Sequence, residues 1–589
     1  MSGAAAMDAF TVEVMQNLLL SAAEEMGITL VRTAYSPNIK ERRDASAAVF
    51  DAEGRVIAQA AHIPMHLSSM MELPRVLVEA YPRRAWRPAD MFIANDPYVG
   101  AGSHLNDIAV IAPVFVDGRL VAFVANTAHH ADVGGRVPGS ESGDSISIFQ
   151  DGLRLPVARI VSRGRVEDGL LRTILLNSRT PQERIGDLKA QLAANRAGAR
   201  QVESICRQYG AEVVAESMRQ ILDYTERRTR QGIAAMPDGL FEAEGFCDDD
   251  GLTARPVRIR VAVEIRGESI TLDFAGTDGQ VAGAKNVPTV SLLATIYYVL
   301  KAIIDPDIPP NAGYYRAITV RAPAGSVLNP MPPAAVAARF TTCQKVADVI
   351  LSAFARSVPE RVVAHCHGGT LAIYSGMNPR NGEFFVDYEV YAGGSGARAT
   401  KDGIDGLANH TTNTSNLPIE ALESEFPLLV ERYELAPDSG GPGKFRGGLS
   451  IVREVRSLGG DLTVGGWGCD HRIAARGLFG GGEGVPGGFH IVREDGKVVT
   501  TIRSTVPGVT LPAGHRLRIC TSGGGGFGDP LERDPGLVRR DVQAGKVSPA
   551  VAESHYGVVL RGTEIDIDAT KQARERRRAV SDAQRSEGA

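Results

Sequence analysis

Apolar positions along this chain change period from segment to segment, and each period predicts an element. Phe10, Val14, Leu18, Leu19, Ala22 and Met26 recur at helical spacing, so residues 9–34 should form one amphipathic helix. Strand-like alternation follows. Ala45–Phe50 and Arg55–Gln59 flank the turn-forming Asp51-Ala52-Glu53-Gly54, which predicts a first hairpin. A second is marked by Asp117-Gly118 between the apolar runs Ile108–Val116 and Leu120–Val124, the strongest short-range hairpin signal. If that pair is a two-residue turn, Val116 faces Arg119, and the ladder runs on to set Asp107 opposite Ala128 and Asn106 opposite His129. Strict alternation then puts His130, rather than His129, on the face of Asp107, unless the glycines and the strand end relax the register.

Farther along, Leu170 to about Gly232 carries Leu, Ile and Val at three- and four-residue spacing in an Arg-, Gln- and Ala-rich background, which predicts two or three helices. Val257–Phe274 alternates and should be antiparallel sheet. Val290–Ile304, interrupted by Lys301 and too short to span a bilayer, reads as a buried helix. Pro-rich stretches at 305–311 and 329–333 precede a helix beginning near Thr342. From Phe384 onward, short strands and glycine clusters dominate. The fold class expected is therefore α+β and multidomain. Residues 1–165 form a hairpin-rich α+β domain, 166–240 a helical segment and 241–380 a central α+β domain. Residues 381–565 form a β-rich, glycine-rich domain, and 566–589 a charged helix or disordered tail.

Composition narrows the class. With 43% hydrophobic and 23% charged residues the chain is an ordinary globular protein, and a net charge of -5 without a basic stripe disfavours nucleic acid as a partner. Six well-separated cysteines without a C-x-x-C pair disfavour structural zinc and disulfides and suit a reducing cytoplasm. The opening residues lack a basic start followed by an apolar core, so no signal peptide is expected. There is no P-loop and no G-x-G-x-x-G on a strand-to-helix turn. The run Thr521–Pro530, T-S-G-G-G-G-F-G-D-P, reads as a tight structural connection.

Polar groups gather where the two hairpins open. The second collects His104, Asp107, His129, His130 and Asp132, and the first sets Asp44 near His62, with His66 just beyond. Imidazoles and carboxylates converging in this way point to a metal. Asp96, in Asn95-Asp96-Pro97, is a turn former that could also meet substrate. Asp132 could hold the glycine turn or touch the metal. Glu420 and Glu423 share a helix face and could be an acid/base pair or a solvated face. His365-Cys366-His367 would place two histidines on one side of a strand but has no carboxylate nearby in sequence.

Long blocks in order make the chain familiar: E-R-R-D-A-S-A-A-V-F-D-A-E-G (41–54), H-I-P-M-H-L-S-S-M (62–70) and F-I-A-N-D-P-Y-V-G-A-G-S-H-L-N-D (92–107). A-H-H-A-D-V-G-G (128–135), P-D-I-P-P-N-A-G (306–313), L-P-I-E-A-L-E-S-E-F-P-L-L-V-E-R-Y-E-L (417–435), D-S-G-G-P-G-K-F-R-G-G (438–448) and G-G-G-G-F-G-D-P-L-E-R-D-P (523–535) follow. Together they resemble the hydantoinase B family, the metal-bearing subunit of ATP-dependent hydantoinases and 5-oxoprolinases, with acetone and acetophenone carboxylases as relatives. The resemblance covers almost the whole chain. It implies a hydantoinase A-type ATPase partner that phosphorylates the substrate carbonyl oxygen, in a higher hetero-oligomer, while this subunit completes the reaction at a metal. The ligand positions it implies are Asp44, His104, Asp107 and His129. This mixed imidazole and carboxylate set suits zinc, manganese or iron(II). His130 is expected to support catalysis beside them, with His62, His66 and Asp96 toward substrate. Where relatives often show a Gly-Gly-x-His run, this chain has Gly100-Ala101-Gly102-Ser103-His104.

The expected reaction is ATP-driven hydrolysis of a cyclic amide or imide, with Asp44 as fourth ligand or as general base. An ATP-dependent ketone carboxylase is the alternative within enzymes, and a non-catalytic scaffold for the ATPase is the alternative outside them.

Overall fold

The computed structural model describes residues 8–60 and 63–587. The predicted opening helix is Ala9–Thr33, but its buried stripe is Met15, Leu19, Ala22, Ala23, Met26 and Leu30, while Phe10 is exposed. The first hairpin is β1 (Ala45–Asp51) and β2 (Val56–Gln59), followed by β3 (Met91–Ala94). The second is β4 (Asp107–Val116) and β5 (Arg119–His129), with β6 (Ala158–Ser162) and β7 (Arg165–Val166) completing one antiparallel sheet in the order β2-β1-β5-β4-β3-β6-β7.

The register of the second hairpin departs from the expected one. Asp117 and Gly118 both take positive φ, as a type I′ turn requires, and Val116 does face Arg119. Beyond Phe115–Leu120, however, the ladder shifts: Val114 pairs with Ala122, so Val121 is an extra residue in a bulge. That single residue moves every later pair by one position, and Asp107 lies opposite His129 rather than Ala128. On the other side of β5, Ala45 pairs with Ala128, and His129 N–H donates to Asp44 O at 3.0 Å. Asp44, His129 and Asp107 therefore form one row across three neighbouring strands.

The two faces of this sheet differ. Val49, Val110, Val124 and Ala128 pack under the helices Ala9–Thr33, Pro181–Tyr209 and Ala211–Ala234. The opposite face carries Phe50, Phe92, Phe123 and Trp86, and by alternation the row of Asp44, His129 and Asp107 belongs to it. His130 and Asn126 fall on the helix side.

The middle of the chain builds β8 (Gly239–Cys247), β9 (Val257–Arg266), β10 (Ser269–Asp273) and β11 (Ile318–Arg321) into a sheet ordered β11-β10-β9-β8, with β11 parallel to β10. Its core is shared with the helices Thr289–Ile304 and Arg339–Phe354, the latter starting ahead of the expected Thr342. The remainder contributes β12 (Thr370–Met377), β13 (Phe384–Tyr391), β14 (Leu428–Leu435), β15 (Ile451–Ser457) and β16 (Leu462–Gly468). β17 (Gly488–Val492), β18 (Val498–Ile502), β19 (Thr505–Leu511) and β20 (Arg516–Cys520) follow. They form two sheets, β13-β12-β16-β19 and β14-β15-β20-β17-β18, that enclose an apolar core. Gly523–Gly526 is the tight connection expected: a Cβ on Gly524 would lie 2.0 Å from Ser395 O. From residue 567 the chain is helical to Glu587. Among the described residues no helix is long and apolar enough to cross a membrane, and all six cysteines are free.

A buried ion cluster ties the first sheet to the third. Arg42 Nη2, just before β1, lies 2.6 Å from Asp387 Oδ1 and 3.4 Å from Glu389 Oε1 on β13, and Arg453 Nη1 lies 2.7 Å from Glu389 Oε2. This brings Tyr388 of β13 and Trp467 of β16 against the polar end of the first sheet.

Candidate metal centre

His104 Nε2 lies 3.3 Å from Asp107 Oδ1, and His66 Nε2 lies 3.4 Å from the same oxygen and 3.7 Å from Asp44 Oδ1. Glu141 Oε1 lies 2.8 Å from His104 Nδ1 and 3.4 Å from His129 Nε2. Donor atoms of His104, His129 and Glu141 fall within 4.8 Å of one another, and all three residues are buried. Despite these approaches, His104 Nδ1, His104 Nε2 and Asp107 Oδ1 are buried without hydrogen-bond geometry to any partner. Buried lone pairs left unmatched are costly. A cation between His104 Nε2 and Asp107 Oδ1 would satisfy both, with the His104 Nδ1–H left on the side of Glu141, so the donor set fits a metal.

The charges of the cluster are those of a pocket that draws positive charge. Burial opposes ionisation of Asp107, but the charges of His104 and His66 outweigh it and hold the carboxyl well below its usual range. Burial opposes ionisation of Glu141 as well, and His104 and His129 again hold it down. Burial and Arg339 work against a charge on His104, and Asp107 and Glu141 more than compensate.

Neighbouring groups fix the donors. Asn38 Nδ2 lies 2.9 Å from His129 Nδ1 and donates to His129 O at 2.8 Å. Trp467 Nε1–H donates to Glu141 Oε2 at 2.9 Å. Ser103 donates to Asp107 Oδ2, and Arg339 Nε–H donates to Ser103 Oγ at 3.0 Å. The Tyr388 ring sits 4.5 Å from that of His129. Phe340, Val390 and Trp467 line the same small cavity, together with Thr411, Thr412 and Thr414.

The sequence-predicted residues divide. Asp44, His66, His104, Asp107 and His129 come together. His130 does not: its Nε2 lies 3.0 Å from Gln191 Oε1 on the helix side, and burial with the nearby Arg184 charge pushes its pKa down to about 4. Its expected part in catalysis has no geometric support, because the bulge at Val121 turned it away. Asp96 accepts from Tyr98 N–H at 3.0 Å and pairs with Arg154 at 2.6 Å, so it closes a turn away from the cavity lining. His62 lies outside the described residues. Asp132 holds the glycine turn through Gly134 and Gly139, and Glu423 accepts from Val430 N–H. Sequence reasoning missed Glu141, Arg339, Tyr388 and Trp467, which come from a loop, a helix and two distant strands without shared spacing.

A family model described as Hydantoinase B/oxoprolinase matches residues 8–530. An uncharacterized protein of Methanocaldococcus jannaschii is 36% identical over 96% of this chain and 100% of its own length. A putative B component of a D-/L-hydantoinase from Pseudomonas sp. is 33% identical, covering 96% of this chain and 98% of that protein. The 5-oxoprolinase of Dictyostelium discoideum is 32% identical over 89% of this chain, a match that spans 40% of that longer protein. Among solved structures, the ATP-dependent caprolactamase of Pseudomonas jessenii superposes with a TM-score of 0.88 at 29% identity, over 97% of this chain and 100% of the matched chain. A nucleotide-free acetone carboxylase superposes with a TM-score of 0.90 at 21% identity, over 98% of this chain and 84% of the matched one, and so shares the fold.

Proposed function

The chain belongs to the hydantoinase B/oxoprolinase family, and from that premise we propose that it is the metal-bearing subunit of a heteromeric, ATP-dependent cyclic amide hydrolase. The observation that carries this reading is the convergence of Asp44, His104, Asp107 and His129 at one buried cavity, with ring nitrogens and a carboxylate oxygen lacking hydrogen bonds. These four residues would hold a zinc, manganese or iron(II) ion, by donor type. When bound, such an ion supplies Lewis acidity and lowers the pKa of a water toward neutrality.

The rest of the chemistry falls to the chain and its partner. An unstrained lactam resists attack because resonance stabilises the amide. A hydantoinase A-type ATPase would phosphorylate the carbonyl oxygen, leaving an imidate-like carbon open to water. Asp44, at the cavity with Oδ1 beside His66, would be the fourth ligand or, standing off the ion, the base that takes the attacking water's proton. Arg339 through Ser103 holds the Asp107 carboxylate in place, and Trp467 holds the Glu141 carboxylate beside the His104 ring. Phe340, Val390 and Trp467 keep bulk water from the carbonyl, while the threonines offer hydroxyls to the ring amide. The free cysteines suit a reducing cytoplasm.

The test combines metal analysis with turnover of hydantoin, 5-oxoproline and caprolactam in the presence of ATP and the ATPase partner. Wild type should carry one equivalent of metal at this site, and His104→Ala and Asp107→Ala should lose that equivalent and ring opening while still binding the partner. Turnover retained in those variants would overturn the assignment. Labelled bicarbonate entering the product would make the chain part of a carboxylase. A wild type that takes up no zinc, manganese or iron(II) would make it a scaffold.

A further inference from the structure

We propose that Asp348, Cys366 and His410 form a second metal site, which takes a zinc-class divalent cation and fixes the loop lining the first site. In sequence, His365-Cys366-His367 lacks a carboxylate; the fold supplies one from the helix Arg339–Phe354 and a third imidazole from the loop after β13. One donor atom each from Asp348, Cys366 and His410 lies within 4.8 Å of the others, and all three residues are buried. A tetrahedral cation with bonds of about 2.0–2.3 Å holds its donors roughly 3–4 Å apart, so little contraction is needed.

Individual atoms support a ligand. Asp348 Oδ1 accepts Cys366 N–H at 3.0 Å and lies 3.0 Å from His410 Nε2. Asp348 Oδ2 is buried and accepts no hydrogen bond. Its neighbours are Lys345 Nζ at 3.7 Å and His365 Nδ1 at 3.9 Å. Lys345 is already matched by Asp470 at 2.9 Å, so Asp348 Oδ2 has no hydrogen-bonded cation of its own. Cys366 Sγ accepts Gly396 N–H at 3.2 Å, support of the kind that thiolate ligands receive. His365 stands just outside this group: its Nε2 is held by Ser352 Oγ at 2.8 Å, and its Nδ1 lies 3.9 Å from Asp348 Oδ2. One thiolate with an imidazole and a carboxylate selects zinc or iron(II) over magnesium or calcium, and three buried protein donors leave a fourth position of the tetrahedron for water.

The two sites are separate but linked. Asp348 follows Arg339 by nine residues on one helix, roughly 14 Å along its axis. His410 takes a positive φ of 48°, unusual for a side-chain-bearing residue, which tight anchoring of its side chain would maintain. Immediately after it, Thr411, Thr412 and Thr414 line the first cavity, and Thr411 O accepts Met65 N–H at 3.1 Å. Occupancy here is independent of the reaction proposed above.

The experiment loads the full chain with cobalt(II) and records near-ultraviolet absorption together with metal content. A thiolate-to-cobalt charge-transfer band is expected in wild type and in His104→Ala, because the first site has no thiolate. Metal content should fall from two equivalents in wild type to one in His104→Ala, and from two to one in Cys366→Ser with loss of the band. A wild type loaded with cobalt but showing no thiolate band overturns the proposal, whatever the variants do. So does a band that survives in Cys366→Ser.

Discussion

Glu141 belongs to no motif and no periodic element, yet both its oxygens are engaged: Oε1 lies 2.8 Å from His104 Nδ1, and Oε2 accepts Trp467 Nε1–H. A carboxylate behind a ligating histidine sets ring orientation and donor strength, and its loss costs about 10–100-fold in metal affinity. Glu141→Gln keeps the size and removes the charge, so chelator-competition titrations should show a loss of that order with circular dichroism unchanged. Undiminished affinity would reduce Glu141 to a packing role. Asp151 illustrates the opposite balance. Burial, with the Glu141 charge adding to it, pushes its carboxyl up to about 7 from 3.8. The folded state therefore holds this proton more tightly than the unfolded chain. Its stabilising contribution is whole below about 3.8 and is lost as pH rises through about 7. Three pH units correspond to about 4 kcal/mol in full. Asp151→Asn should thus melt higher than wild type near pH 8.5 and lose that advantage near pH 4. Parallel melting curves across that range would show that Asp151 does not titrate there.

At the scale of elements, the hairpin was legible and its register was not. Asp117-Gly118 announces the turn because both residues must take positive φ, and alternation announces the strands. The bulge at Val121 has no sequence signal of its own, since Val is an ordinary strand residue. One unseen residue was enough to interchange His129 and His130. The opening helix shows a milder version: its period was visible, but Phe10, in its first turn, is exposed among the described residues. Of the site, the donors on the two hairpins and His66 could be read from spacing. Glu141, Arg339, Tyr388 and Trp467 could not, because sequence separation hides what sheet packing brings together. Because Val121 is the extra residue, deleting it should regularise the ladder and leave Asp107 opposite His129. The deletion variant should keep its metal, at a cost of about 1–3 kcal/mol for the altered twist. Metal lost from a variant with intact circular dichroism would mean that the bulge, and not the downstream pairing, aims His129.

For the whole molecule, the metal centre is a joint between sheets that are far apart in sequence. The first sheet brings Asp44, Asp107 and His129, the helix Arg339–Phe354 brings Arg339, and the β13-β12-β16-β19 sheet brings Tyr388 and Trp467. Arg42 with Asp387 and Glu389 locks the same joint from behind, where removing one partner would leave buried charge uncompensated. A ligand that binds only the assembled joint stabilises every part that builds it. The chain carries its own reporter of this coupling. It has two tryptophans: Trp86 packs against Phe123 on the aromatic face of the first sheet, while Trp467 bonds Glu141 at the site. Trp86→Phe should therefore leave emission that comes from the joint alone. Chelation should change its intensity or wavelength, metal return should restore it, and His104→Ala in the same background should abolish the response. Emission indifferent to metal in the single-tryptophan chain would show that loading at the first sheet is not felt across the joint, and that β16 serves only as a wall.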